Sequence, residues 1–222
     1  MSNFLNAAKH TDAKNPEPHQ IAAWNWAWTL LSKKEQDEFL SIFRAGSQPT
    51  QPQRPVESRS IPPYLLLTRT KEIDSRGLEK LKLSYIKNGV SFGSMIVVSG
   101  APGAQRFRLG RDSRSGSLEP LPEGRWGIED IQWAGGRDNY SGSWGPGLGP
   151  ASTPLRYLGP GSTERAAIEI HIDSNARTSP GTAGCIGIAN EGDYRKLVAW
   201  LRDSDTRDLY VDYGLGSCKT PA

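Results

Sequence analysis

A single cysteine and a single histidine in this sequence stand where they could do chemistry together. The stretch runs His171-Ile172-Asp173-Ser174-Asn175-Ala176-Arg177-Thr178-Ser179-Pro180-Gly181-Thr182-Ala183-Gly184-Cys185. A thiol is a weak nucleophile at neutral pH until a base takes its proton, so a thiol within reach of an imidazole is what acyl transfer through a thioester requires. Alternation along 168–173 sets Ile168, Ile170 and Ile172 on one face of a strand and Glu169, His171 and Asp173 on the other. The polar face therefore carries the imidazole. Cys185 opens the next strand, and the loop 172–184 is long enough to bring the chain back beside His171. Gly184 lets the backbone approach a substrate closely, and the N–H groups around Cys185 are candidates for an oxyanion hole. The plainer reading is that Cys185 is a small buried hydrophobe and His171 a satisfied polar residue at a strand end.

The elements that must position these residues are short strands. Leu81, Leu83 and Tyr85 alternate with polar residues, Asn88-Gly89 supplies a type I′ turn signal, and 94–99 reads as the returning strand. Further strands are expected at 106–109, 125–133, 154–158, 167–173, 185–189 and 209–213, separated by Gly/Pro/Ser turns. One helix interrupts them at 193–202, where Leu197, Val198 and Leu201 keep helical spacing. With 24 Gly and 16 Pro in 222 residues, the composition also favours a turn-rich β protein over a helical bundle. The expected fold class is a mostly β sandwich or barrel over 64–216 with one late helix, followed by a tail at 217–222.

Ahead of it, Ile21, Trp24, Trp28 and Leu31 recur at spacings of three and four, and Ser32 with Glu35 forms a capping-box pair. These predict a small α-helical hairpin within 1–45, behind a flexible amino terminus. Five prolines among Ser, Gln and Arg make 46–63 a semi-rigid linker. A hairpin of this size needs something to pack on, which points to an oligomer or virion partner or to the main domain.

Thr182-Ala183-Gly184-Cys185-Ile186-Gly187, with His171 upstream, resembles the signature of the L,D-transpeptidase-like family, in which a His precedes a [Ser/Thr]-x-Gly-Cys-aliphatic segment late in a β domain. Leu121-Pro122-Glu123-Gly124-Arg125-Trp126 is similar to that family's Pro-x-Gly-aromatic strand entry. The likeness covers roughly residues 80–215. It implies thiolate attack on a peptide carbonyl in the stem peptide of peptidoglycan, an acyl-enzyme, and release to an amine or to water. Carried over residue by residue, Cys185 is the nucleophile, His171 the base, and Gly184 and Thr182 shape the loop; a backbone carbonyl or nearby hydroxyl often orients the imidazole in such enzymes, and Asp173, Ser174 and Thr182 are the local candidates. Ile172 and Gly187 depart from the family's Gly after the His and its Arg or Asn two residues after the Cys. Recognition of a substrate carboxylate is then left to Arg177, with Asp173, Ser179 and Trp144 as further substrate-binding candidates. Trp144 lies in a Gly-rich stretch, 141–150, which Trp133, Tyr140 and Tyr157 help to flank; this reads either as a wall over a cleft or as ordinary packing.

Composition excludes several alternatives. A net charge of +3 is too small to signal nucleic-acid binding. The longest apolar runs, such as Tyr64-Leu65-Leu66-Leu67, fall far short of the ~20 residues that span a bilayer. His10, His19 and His171 are scattered, so no metal site and no cofactor is expected. Two cysteines, Cys185 and Cys218, do not make a disulfide framework. The amino terminus lacks the charged and apolar regions of a signal peptide, so the expectation is synthesis in the cytoplasm and action at the bacterial wall after delivery, as in phage lysis, a virion or a secretion system. Hydrolysis is then favoured over transpeptidation. The rival reading is a non-enzymatic virion or wall-binding protein that keeps the fold.

Overall fold

A computed structural model of the chain describes Ser32, Lys33 and residues 61–137, 139–145 and 147–221. Apart from the first two, these belong to the second of the two units into which the chain divides, 59–222. The helical hairpin expected within 1–45, Ser32 and Lys33 aside, and all but the last three residues of the 46–63 linker lie outside the described residues.

The described β-rich sequence forms one sheet of nine strands with a single α-helix late in the chain. In chain order the strands are β1 (Tyr64–Ile73), β2 (Glu79–Lys87), β3 (Val90–Val98), β4 (Gly124–Ile128) and β5 (Gln132–Trp133), then β6 (Ala151–Gly159), β7 (Ile168–Ile172) and β8 (Ile186–Ile188). Helix α1 (Glu191–Asp203) and strand β9 (Asp208–Asp212) complete the domain. The spatial order is β4-β9-β1-β2-β3-β8-β7-β6-β5, and β4 also pairs with β6, so eight strands form a closed circuit with β5 attached to β6. Only β1 with β9 and β7 with β8 run parallel.

Closure follows from one consistent alternation. Leu67 pairs with Leu83, Leu83 with Met95, and Val97 with Ile188. Ile188 pairs with Ile172, Ile170 with Thr153, Leu155 with Ile128, and Trp126 with Leu209. Residues facing each other across a ladder share a face, so each strand turns its aliphatic set inward, and these side chains make up the main core. Helix α1 is capped by Asn190, whose side chain accepts from Asp193 N, and it buries Tyr194, Leu197, Val198 and Leu201 in that core. Tyr194 reaches the inward Thr153 with a hydroxyl contact of 3.0 Å. Because the helix covers the inner side, the outer face of β7 and β8 is left to loops.

The Asn88-Gly89 hairpin is present, both residues having positive φ, 51° and 74°, as a type I′ turn requires. Two strand expectations need correction. Residues 106–109 form no strand: Leu109 makes one isolated bridge to Glu123 before a short 3₁₀ turn. Phe107 is held instead by its ring contacts, edge-on to Tyr213 at 4.6 Å and beneath the Arg69 guanidinium at 4.2 Å. The 125–133 stretch splits into β4 and β5, which lie along the same edge of β6. Pro154 of β6 has no N–H to offer at the break, and its carbonyl instead accepts from Glu129 N at 3.0 Å. No strand is expected from the apolar run Tyr64-Leu65-Leu66-Leu67, which does not alternate, yet it opens β1, between β9 and β2. Among the described residues no helix is long and apolar enough to cross a membrane.

Candidate active site

Parallel pairing of β7 with β8 sets the relation between the two reactive side chains. His171 lies opposite Gly187 and Ile170 opposite Ile186, so one step back along the same register puts Cys185 beside Glu169. Glu169, His171, Cys185 and Gly187 thus share the outer face, with the sulfur and the imidazole on a diagonal of that ladder. Gly187 is tightly enclosed on this face: a Cβ there would meet Thr182, Asp173 and Val98 at 3.0 to 3.1 Å.

Thr182 locks the turn that delivers the cysteine. Its hydroxyl donates to Cys185 O at 2.6 Å and accepts from Gly184 N at 3.1 Å and from Gly100 N at 3.2 Å. One donor and two lone pairs are all a hydroxyl has, so Thr182 is saturated. Ser99, buried at the end of β3, adds a second tie by donating to Gly184 O at 3.1 Å and accepting from Leu121 N. Of the N–H groups proposed for an oxyanion hole, that of Gly184 is therefore spent inside the turn.

Arg165, which sequence reasoning missed, occupies the other side of the same turn. It is buried, and its guanidinium donates to Ala183 O at 2.8 Å, Glu119 O at 3.3 Å, Ser117 Oγ at 2.8 Å and Arg114 O at 3.2 Å. Its partners are mostly backbone oxygens, so no charge partner or spacing marks it in the sequence. Gly184 is the only trace: its φ is +119°, and the space a Cβ would fill holds Arg165 Nη2.

Burial pushes the Cys185 thiol above its ordinary value; hydrogen bonding from the Glu169 backbone and the Arg165 charge oppose the rise, while the Glu169 carboxylate adds to it. Ser152 donates to that carboxylate. The thiol itself lies 3.9 Å from Ala167 O, its hydrogen-bond acceptor. Ala167 has φ +54°, so the backbone is bent into an uncommon conformation directly beside the sulfur.

His171 is buried, and its Nδ1 lies 3.1 Å from Ile172 O. A carbonyl can only accept, which assigns the proton to Nδ1 and leaves Nε2 as the basic nitrogen. The carbonyl of Ile172, rather than the side chain of Asp173, Ser174 or Thr182, is thus the group bonded to the ring. Asp173 is buried beside it; Oδ2 accepts from Gly181 N at 3.2 Å, while Oδ1 has no partner. Burial raises the Asp173 carboxyl, against the Gly181 N–H and the His171 ring.

The remaining candidates spread around this centre. Arg177 and Ser179 are exposed on the loop after β7, where Arg76 clamps the backbone by donating to Ala176 O and Arg177 O at 2.9 and 2.7 Å. Trp144 is half exposed in the Gly-rich loop, which touches the loop after β7 through Gly147 N and Ser174 Oγ at 3.2 Å. A cavity of about 180 Å³ lies against Asp173, Gly187, Val98 and Pro180. A larger cleft, about 680 Å³, lies by Trp133 and Arg207 and includes neither Cys185 nor His171. Among the described residues no group of three His, Cys, Asp or Glu side chains is arranged to hold a metal ion.

No family model matches the chain, and no curated protein matches it. Among solved structures, the helical cell shape determining protein Pgp2 from Campylobacter jejuni is similar over 72% of this chain and 52% of that one, at 14% identity and a TM-score of 0.43. A point mutant of the same protein aligns over 72% and 50%, with the same identity and TM-score. The chain spans about half the length of the structures it matches. A likeness this distant carries no argument, and the chemistry is read from the site.

Proposed function

We propose that this protein is a cysteine-dependent enzyme that acts on the stem peptide of peptidoglycan through an acyl-enzyme on Cys185, with water as its main acceptor. The observation that carries the reading is the shared outer face: Cys185, partly buried at the end of a turn tied by Thr182, and His171, its Nε2 left basic by the Ile172 carbonyl. The substrate class follows from the resemblance of 182–187 to the L,D-transpeptidase-like signature.

In the proposed reaction the Cys185 side chain turns from Ala167 O toward the ring, and Nε2 takes the thiol proton. The thiolate adds to the substrate carbonyl carbon, the C–N bond breaks, and the imidazolium returns the proton to the departing amine. Water then gives a proton to Nε2 and adds to the thioester carbon; the C–S bond breaks, and a carboxylic acid and the thiol result. Water needs no binding site of its own. Amines compete for the same thioester, so transpeptidation is the minor outcome.

One observation favours the second reading, a wall-binding or virion protein without turnover: the thiol's hydrogen-bond partner is Ala167 O rather than the ring. Incubation with purified peptidoglycan and mass spectrometry of released muropeptides separates the two. Products from wild type that vanish in Cys185→Ala support the enzyme. Absent products support the second reading, and equal products from both rule out the mechanism through Cys185.

A further inference from the structure

We propose that Arg165 is the positioning residue of the nucleophile: its guanidinium, inserted where Gly184 has no side chain, fixes the Ala183-Gly184-Cys185 turn and keeps a permanent positive charge beside the sulfur. This rests on the reading of Cys185 as nucleophile but not on the identity of the substrate.

The geometry argues for a dedicated arrangement. An arginine has five N–H donors in a rigid fork, and four hydrogen bonds from the two terminal nitrogens of Arg165 join three segments of chain: 114–119, the residue's own approach to β7, and the turn before β8. With so many donors spent internally, the group serves the protein rather than a substrate carboxylate. Gly184 is the complement of the fork, since a Cβ there would lie 1.5 Å from Nη2. The absent Cβ and the buried guanidinium therefore specify one another, one residue away from the sulfur.

A buried guanidinium is costly, and burial indeed depresses the affinity of Arg165 for its proton. An uncharged side chain could hold Ala183 O at lower cost. What only the charge supplies is a field favouring thiolate. The charged groups facing the sulfur are Arg165 from the segment before β7 and Glu169 from β7 itself; His171 stands further along β7, and Glu119, near Arg165, is paired with Arg108 at 3.0 Å. Arg165 is thus the cation that opposes, in part, the rise that burial and Glu169 cause at the reacting atom.

The test is the pH dependence of Cys185 alkylation by iodoacetamide, followed by peptide mass spectrometry on the full chain, in wild type, Arg165→Gln and Arg165→Lys. The expected result is an upward shift of the midpoint by about one pH unit in Arg165→Gln, with slower alkylation at pH 7.5, and a midpoint near that of wild type in Arg165→Lys. Far-ultraviolet circular dichroism reports whether each variant is folded. A folded Arg165→Gln with an unshifted midpoint overturns the proposal, as does a shift in Arg165→Lys equal to that in Arg165→Gln. If neither folds, Ser117→Ala carries the test: releasing one hydrogen bond of the fork should slow alkylation at pH 7.5, and an unchanged profile overturns the proposal. Alkylation needs no wall substrate. A shifted midpoint without muropeptide release would sink the enzyme reading alone, and Cys185-dependent release with an unshifted midpoint would sink only the role of Arg165.

Discussion

The hydroxyl of Thr182 lies 2.6 Å from the carbonyl oxygen of Cys185 and donates to it, while accepting from the amides of Gly184 and Gly100. One side-chain oxygen thus ties the cysteine, the glycine before it and the end of β3 into a single unit. Thr182→Val keeps the shape and removes all three bonds, leaving two amides and a carbonyl without that partner. The expected cost is about 2–4 kcal/mol, read from urea denaturation, together with loss of Cys185-dependent muropeptide release. Thr182→Ser retains the oxygen and should cost less than about 1 kcal/mol with activity kept. Equal stability of the Val variant and wild type would show the hub to be dispensable.

Glycines separate into those that only turn and those that make room. Gly184 and Gly77 both have positive φ, but a Cβ on Gly77 meets nothing within 4 Å, whereas one on Gly184 overlaps Arg165 and comes within 3.0 Å of Glu119 O. Gly77→Ala should therefore cost only the backbone term, about 1 kcal/mol. Gly184→Ala adds displacement of a buried guanidinium, and about 3 kcal/mol or more is expected. Thermal denaturation of the two variants side by side measures the difference; similar losses would mean that Arg165 moves aside freely.

The sequence carried the fold in its alternations and its turns. Ile168, Ile170 and Ile172 marked an inward face, Asn88-Gly89 marked a hairpin, and Leu197, Val198 and Leu201 marked the helix. Direction was another matter: nothing in 172–184 tells whether the next strand returns parallel or antiparallel, and that choice puts Gly187, not Cys185, opposite His171. β1 escaped because a run of consecutive apolar residues is not alternating; Tyr64 and Leu66 pack outward into a second small cluster with Ile61, Ile86, Tyr210 and Cys218. In the candidate site, Cys185, His171 and Gly184 are legible from residue type and local spacing, and Thr182 from the resemblance of 182–187 to a known signature. Arg165 is not, because three of its four partners are backbone oxygens from distant segments, and backbone oxygens have no sequence signature.

Two buried carboxylates should pull stability in opposite directions with pH. Burial alone would raise Glu123, but the amides of Leu215, Ser217 and Tyr213 and the Ser217 hydroxyl outweigh it and hold the carboxyl below its ordinary 4.5. Its stabilising contribution is present above that value and is lost as pH falls through the folded one. Glu123→Gln should cost about 3 kcal/mol at pH 7, with the deficit shrinking in acid. Asp173 is raised above its ordinary 3.8, so its contribution is present below that value and is lost as pH rises through the folded one. Relative to Asp173→Asn, wild type should lose stability between those two pH values. Denaturant midpoints from pH 3 to pH 7 measure both; parallel curves for wild type and Asp173→Asn would show that Asp173 titrates normally.

The two cysteines should differ in reactivity although both thiols are pushed upward. Burial, with Asp212 and Glu123 adding to it, takes Cys218 up to about 12. The charges that raise it are those of anions: it packs in the small cluster with Tyr64 and Tyr210, and its amide is bound to Glu123 at 3.2 Å. Fewer than about one Cys218 thiol in a thousand is ionised at pH 8.5 if its value lies there. Cys185 is also raised by burial, yet Arg165 and backbone hydrogen bonding resist the rise. Since thiolate is the species that reacts, iodoacetamide at pH 8.5 should label Cys185 at least tenfold faster than Cys218, as peptide mass spectrometry reads directly. Cys218→Ser should leave muropeptide release unchanged. Faster labelling of Cys218 would mean that the field at Cys185 favours the thiol over the thiolate, and the nucleophile would then have to be sought elsewhere in the domain.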